Sequence, residues 1–110
     1  MLDHVIIAVS DLERSKTFYG SALAPLGYKS VYEYPGGAGY ADPSGKPDFW
    51  LRSGEAVMPT HVAFHCDERS LVDSFHEAAL AAGGSDNGAP GLRPHYHEHY
   101  YGAFVLDPDR

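Results

Sequence analysis

Residues 3–9 read Asp-His-Val-Ile-Ile-Ala-Val, an apolar, β-branched run that predicts a strand. Ser10 follows and Glu13 lies three positions on, the spacing of a capping box that opens a helix. Leu12, Phe18, Tyr19, Ala22, Leu23 and Leu26 then recur at helical spacing, and Pro25 and Gly27 end the segment. Residues 28–34 are aromatic and β-branched and predict a strand, with a turn at Pro35-Gly36-Gly37. A short strand at 39–42, a turn at 43–45 and a strand at 48–52 complete a βαβββ order.

Residues 53–59 read as a connector, after which the pattern restarts. Residues 60–66 predict a strand, and Asp67 can cap a helix carrying Leu71, Val72, Phe75, Ala79 and Leu80, closed by Gly83-Gly84. Residues 85–94 read as a loop and Tyr100–Leu106 as a strand. The two halves match at a constant offset of 57 positions: His4 with His61, Val5 with Val62, Phe18 with Phe75, Ala22 with Ala79, Leu23 with Leu80 and Gly27 with Gly84. Such matching at core and capping positions argues for an internal duplication. The expected organisation is one domain, with a first module at 1–52, a connector at 53–59 and a second module at 60–110 that lacks its last strand.

The chain has 110 residues, enough for one compact domain. Fifteen acidic against eight basic side chains give a net charge of −7, a poor match for nucleic-acid phosphates or anionic membranes. Cys66 is the single cysteine, which excludes an intrachain disulfide and a cysteine-based zinc site. No apolar run approaches the roughly 20 residues that span a bilayer, and no leader is read at Met1, so a cytoplasmic location is expected. Seven histidines and eight tyrosines supply the candidate chemistry.

His4 and His61 occupy equivalent positions of the two repeats, where shared ligands could converge near a pseudo-twofold axis. The plainer alternative is a pair of strand histidines hydrogen-bonded to backbone. In Pro94-His95-Tyr96-His97-Glu98-His99-Tyr100, an extended backbone would put His95, His97 and His99 on one face and Tyr96, Glu98 and Tyr100 on the other. Three imidazoles there could bind metal, relay protons or grip an anionic substrate, or the segment is an exposed loop. Trp50, Phe49, Tyr40 and Phe64 line a cavity or fill the core, and Arg93 could pair with a substrate carboxylate. No serine–histidine–aspartate order, phosphate loop or dinucleotide fingerprint appears.

Leu2-Asp3-His4-Val5, Ser10-Asp11-Leu12-Glu13-Arg14-Ser15, Phe18-Tyr19, Thr60-His61-Val62-Ala63-Phe64 and Phe104-Val105-Leu106-Asp107-Pro108-Asp109 together resemble the vicinal oxygen chelate superfamily of glyoxalase I, bleomycin-resistance proteins and extradiol dioxygenases. The resemblance implies an α+β fold. Two βαβββ modules, the second incomplete at its C-terminal side, would form a curved, cup-like mixed sheet with the helices outside. It implies a divalent metal (Fe, Mn, Ni or Zn) with His4 and His61 at two of four ligand positions. The third falls on Trp50, or on Phe49 or Arg52 if the register slips, and the fourth lies past Arg110. Glu98 is the nearby carboxylate that could substitute. Trp50, Arg93, His95, His97 and Tyr100 are the expected substrate contacts, in a homodimer that binds a small oxygen-rich molecule. Two functions follow as expectations: a metal-dependent lyase or dioxygenase, or a metal-free protein that sequesters a small molecule as bleomycin-resistance proteins do.

Overall fold

The apolar run after His4 becomes β1 (Val5–Val9) in the computed structural model, which describes residues 1–55 and 57–110. Helix α1 (Leu12–Ala22) follows after one turn of chain. Its cap is Asp11, whose carboxylate accepts the Arg14 N–H at 3.1 Å, rather than the predicted Ser10–Glu13 box. Ser10 is engaged elsewhere: its N–H and hydroxyl both donate to the Asp109 carboxylate. The Glu13 carboxylate accepts from Lys16 at 3.1 Å. A single 3-10 turn at Ala24–Leu26 takes Pro25 near its start, where a missing N–H costs nothing. Gly27 then reverses the chain at φ 84°, a conformation natural only to glycine.

Strands β2 (Lys29–Tyr34), β3 (Gly37–Ala41) and β4 (Pro47–Ser53) form an antiparallel meander. β1 adds to β4 in parallel, so the sheet order is β1-β4-β3-β2. One face carries Val9, Ala38, Tyr40, Phe49 and Leu51 into a core with Leu23. Each large side chain so buried contributes about 1.5–3 kcal/mol.

Helix α2 (Arg69–Ala81) packs on α1 through Ala79 against Phe18 and Ala22. Its cap residue is Glu68, with no side-chain bond, not Asp67; the Asp67 carboxylate lies 3.2 Å from His65 Nε2 instead. Gly83 closes the helix at φ 104°. Four two-residue strands follow: β5 (Ser85–Asp86), β6 (Gly91–Leu92), β7 (Tyr101–Gly102) and β8 (Val105–Leu106). β5 pairs with β8 and β6 with β7. Between and beside them, Asn87 donates to the Phe104 carbonyl, Phe104 to that of Gly88 and Arg93 to that of Tyr100. Residues 85–93 and 100–106 are thus one irregular hairpin, where a loop and a single strand were expected.

The predicted strand at 60–66 has the alternation of a strand but not its bonds. Val62, Phe64 and Cys66 are half-buried while His61, Ala63 and His65 are exposed. Among the described residues, 57–66 make no main-chain hydrogen bond to other main chain. Among the described residues the fold is therefore a mixed α+β arrangement of two α-helices, one four-stranded mixed sheet and two two-stranded sheets, with a looser second half. No helix among the described residues is long and apolar enough to cross a membrane.

Candidate functional site

The sheet face opposite the core is built in rows. Ile6 on β1 stands beside Trp50 on β4, Trp50 beside Gly39 on β3, and Gly39 beside Tyr32 on β2. The next row runs Ala8, Arg52, Gly37 and Tyr34. Glycine in the central strand has a steric reason here. A Cβ on Gly39 would come within 2.8 Å of the Trp50 ring, and one on Gly37 would collide with the Tyr34 ring. The indole and the phenol therefore lie down over bare backbone. Tyr32 meets Trp50 edge-on at 5.9 Å between ring centres and lies 5.9 Å from Tyr34. The result is an open aromatic plate, with Ile6 53 % and Tyr32 56 % exposed.

His4 precedes this plate and is tethered. Its Nδ1 lies 2.7 Å from an Asp3 carboxylate oxygen, whose other oxygen takes Lys46 at 2.7 Å. The Lys46 bond first, then the His4 bond, pulls the Asp3 carboxyl down to about 2.

A second region lies between the halves. A cavity of about 760 Å³ is lined by residues 57–66 and 100–107. Phe18, Tyr19, Val72 and Phe75 contribute apolar surface from the helices. The cavity takes in His61, whose ring meets Phe104 edge-on at 5.9 Å, and Tyr100, 4.9 Å from the Tyr96 ring. Arg93 lies over the Phe104 ring at 5.5 Å and donates to the Ala89 carbonyl at 2.7 Å. His95 packs on Tyr96, and His97 meets Tyr100 edge-on.

The segment 94–99 is a succession of turns with His99 at φ 67°, not an extended run. His95, His97 and His99 thus do not share a strand face, and the Glu98 carboxylate lies 3.4 Å from the Nε2 of the neighbouring His99. The residues predicted from sequence divide between the two regions. His4 and Trp50 belong to the open plate; His61 and Tyr100 belong to the cavity, with Arg93, His95 and His97 packed on its lining rings.

Sequence reasoning missed the plate itself. Ile6, Tyr32 and Tyr34 were not singled out, although glycines two apart at 37 and 39 are a period-two signal for large side chains crossing a strand. It also missed the tie between α1 and the C-terminal turn. The Tyr19 hydroxyl donates to Asp107 at 2.5 Å, and the same carboxylate accepts the Asp109 and Arg110 N–H groups. Burial first, and then the Asp107 bond, holds the Tyr19 phenol far above its ordinary range.

The side chains do not suit a divalent metal at the plate. Trp50 stands where the resemblance expects a ligand, and its indole offers a hydrogen-bond donor with no lone pair for a metal. Among the described residues, no three histidine, cysteine or carboxylate side chains converge.

Comparison with known proteins places this geometry in context. The chain is 28 % identical over 130 aligned residues to the uncharacterised protein YqjT of Bacillus subtilis (strain 168), covering 99 % of this chain and 92 % of that protein. A glyoxalase/bleomycin resistance protein from Albidiferax ferrireducens T118 superposes with a TM-score of 0.84 at 28 % identity, covering 99 % of this chain and 91 % of that one. A family enzyme from Burkholderia phytofirmans PsJN shares the fold, with a TM-score of 0.73 at 22 % identity, covering 98 % of this chain and 91 % of that one. The sequence profile of the glyoxalase/bleomycin resistance protein/dioxygenase superfamily matches residues 1–110. The chain belongs to that superfamily.

Proposed function

We propose that this chain binds a planar, apolar small molecule on the Trp50–Tyr32–Tyr34 plate, without a metal. The observation that carries the reading is Trp50, laid flat over Gly39 at the position where the resemblance expects a metal ligand. A face of three aromatic rings has the chemistry to stack a conjugated ligand, and each ring that makes such a contact adds about 0.5–1.5 kcal/mol beyond area burial. Exposed apolar rings gathered in one patch mark recognition surfaces more often than chance. The function is then sequestration rather than turnover.

Trp50 is the single tryptophan, so the site carries its own reporter. Chelator-treated protein titrated with planar aromatic compounds is expected to show saturable quenching of its fluorescence. Calorimetry on Trp50→Ala and Tyr32→Leu should show affinity at least about tenfold weaker. Binding that needs added metal, or that survives Trp50→Ala unchanged, would overturn the reading.

The repeat equivalence of His4 and His61 favours a second reading, a metal-dependent lyase or dioxygenase in which these two histidines hold the ion. Near-stoichiometric metal in protein purified without chelator or tag, lost in the His4→Ala, His61→Ala double variant, would select it.

A further inference from the structure

The basic side chains of this acidic chain are mostly engaged. Lys16 pairs with Glu13 and Glu33, and Lys46 with Asp3. Arg14 reaches the Pro108 carbonyl at 3.4 Å, and Arg69 lies over the Tyr101 ring. Arg93, the arginine that the sequence offers for a substrate carboxylate, donates to the Ala89 carbonyl and lies over Phe104. Arg52 is different. It is exposed and has neither an ion-pair nor a side-chain hydrogen-bond partner among the described residues.

Its position gives that a meaning. Phe49 and Leu51 enter the core, so Trp50 and Arg52 share the opposite face of β4. Arg52 stands in the second row of the plate, between Ala8 on β1 and Gly37 on β3, with Tyr34 beyond. The two rows are about 6.6 Å apart, two steps along a strand. Neither contains a carboxylate, although the chain carries fifteen acidic side chains. The guanidinium leans toward Gly54. Its Nη1 lies 3.9 Å from where a Cβ on that glycine would stand, and the Ala8 methyl is 3.4 Å from the same point. Its cross-strand neighbours are thus a methyl group and bare backbone, and no bulky side chain from them covers its donors.

We propose that the ligand of the plate is an aromatic carboxylate, with its ring stacked on Trp50 and Tyr32 and its carboxylate held by Arg52. This rests on the reading of the plate as a stacking site and adds what selects among planar ligands. The guanidinium fork matches both oxygens of a carboxylate. Apolar rings beside the pair keep water from one side of it, which strengthens the attraction. The net charge of −7 repels an anion at long range, so the preference is local and made by this one cation.

Naphthalene-2-carboxylate and its neutral amide, naphthalene-2-carboxamide, are the probes, since they share a ring system and differ in charge. The single tryptophan gives one indole N–H signal, so nitrogen-15 NMR titration of the chelator-treated full chain reads the affinity of each. At low salt the carboxylate is expected to bind at least about fivefold more tightly than the amide, the upper range for an exposed pair. That margin should shrink as salt is raised. Arg52→Gln should bring the two compounds within about twofold and leave the amide unchanged, while Arg52→Lys, which keeps the charge but not the fork, should retain part of the margin. Lys29→Gln removes the same charge at the far end of β2 from Tyr34 and should leave the margin intact. Equal saturable binding of both compounds to the wild type would overturn the proposal and leave the stacking site standing. A margin that survives Arg52→Gln, or that Lys29→Gln abolishes equally, would also overturn it. If neither compound moves the indole signal at millimolar concentration, the stacking site and the proposal fall together.

Discussion

The two halves of the chain begin with the same strand–helix pattern and end with very different interiors. In the first, β4 seats between β1 and β3, and Tyr40, Phe49 and Leu51 are at most 2 % exposed. In the second, Val62, Phe64 and Phe75 remain half-buried, and Ala79 is the one fully buried apolar side chain among the described residues. Composition does not separate them, since both offer valine, phenylalanine and leucine at matched positions. The difference is a central strand. Without it, side chains that alternate correctly still have nothing to pack beside, and burial stops halfway.

The largest effect expected from this contrast is in hydrogen exchange of the chain alone. Amides in β1, β3 and β4 should exchange at least about 10³-fold more slowly than those at 60–66, because the former open only with the whole fold. Equal protection in both halves would break the comparison. Next come matched truncations read by urea denaturation. Phe49→Ala should cost about 3–5 kcal/mol, the range for a large residue removed from a closed core. Phe64→Ala removes a half-buried ring and should cost roughly 1 kcal/mol.

The smallest effect concerns the tie between α1 and the C-terminal turn. Tyr19→Phe deletes the bond to Asp107 and should cost about 1 kcal/mol at neutral pH. It should also flatten the alkaline limb of stability. Burial, the largest cause, holds the Tyr19, Tyr28 and Tyr40 phenols up, Tyr28 and Tyr40 to about 12. Unfolded tyrosines ionise near pH 10. Above that pH the unfolded chain binds fewer protons than the folded one, so stability is full below pH 10 and falls as pH rises toward 12. Thermal melts between pH 8 and 11.5 on wild type and Tyr19→Phe should diverge only below pH 10 and draw together above it.

Much of the first half was legible in the sequence because its signals are local. Aromatic and β-branched content placed β2, the turns at 35–37 and 43–45 set off β3 and β4, and Pro25 and Gly27 marked the end of the helical segment. The helix cap was misassigned because Ser10 has a competitor invisible to local reading, the carboxylate of Asp109. The same limit explains the site. His4 and His61 share a repeat position, but side-chain spacing along a chain says nothing about whether the strand that bears a histidine finds a neighbour. The 94–99 segment was read on the condition that it extends, and local turns removed that condition. The aromatic plate depends on cross-strand register, which a list of tyrosines does not contain.

The parallel pairing of β1 with β4 also has a consequence in time. β2, β3 and β4 join through short turns and can zip together from neighbours in sequence. β1 meets β4 only after the helix has folded back across them, Val5 to Phe49. Closing that long loop must precede any contact that rewards it, which makes β1 the late arrival in folding. On the ribosome the order of synthesis is the reverse: β1 emerges first and waits, unpaired, for the strand that will hold it.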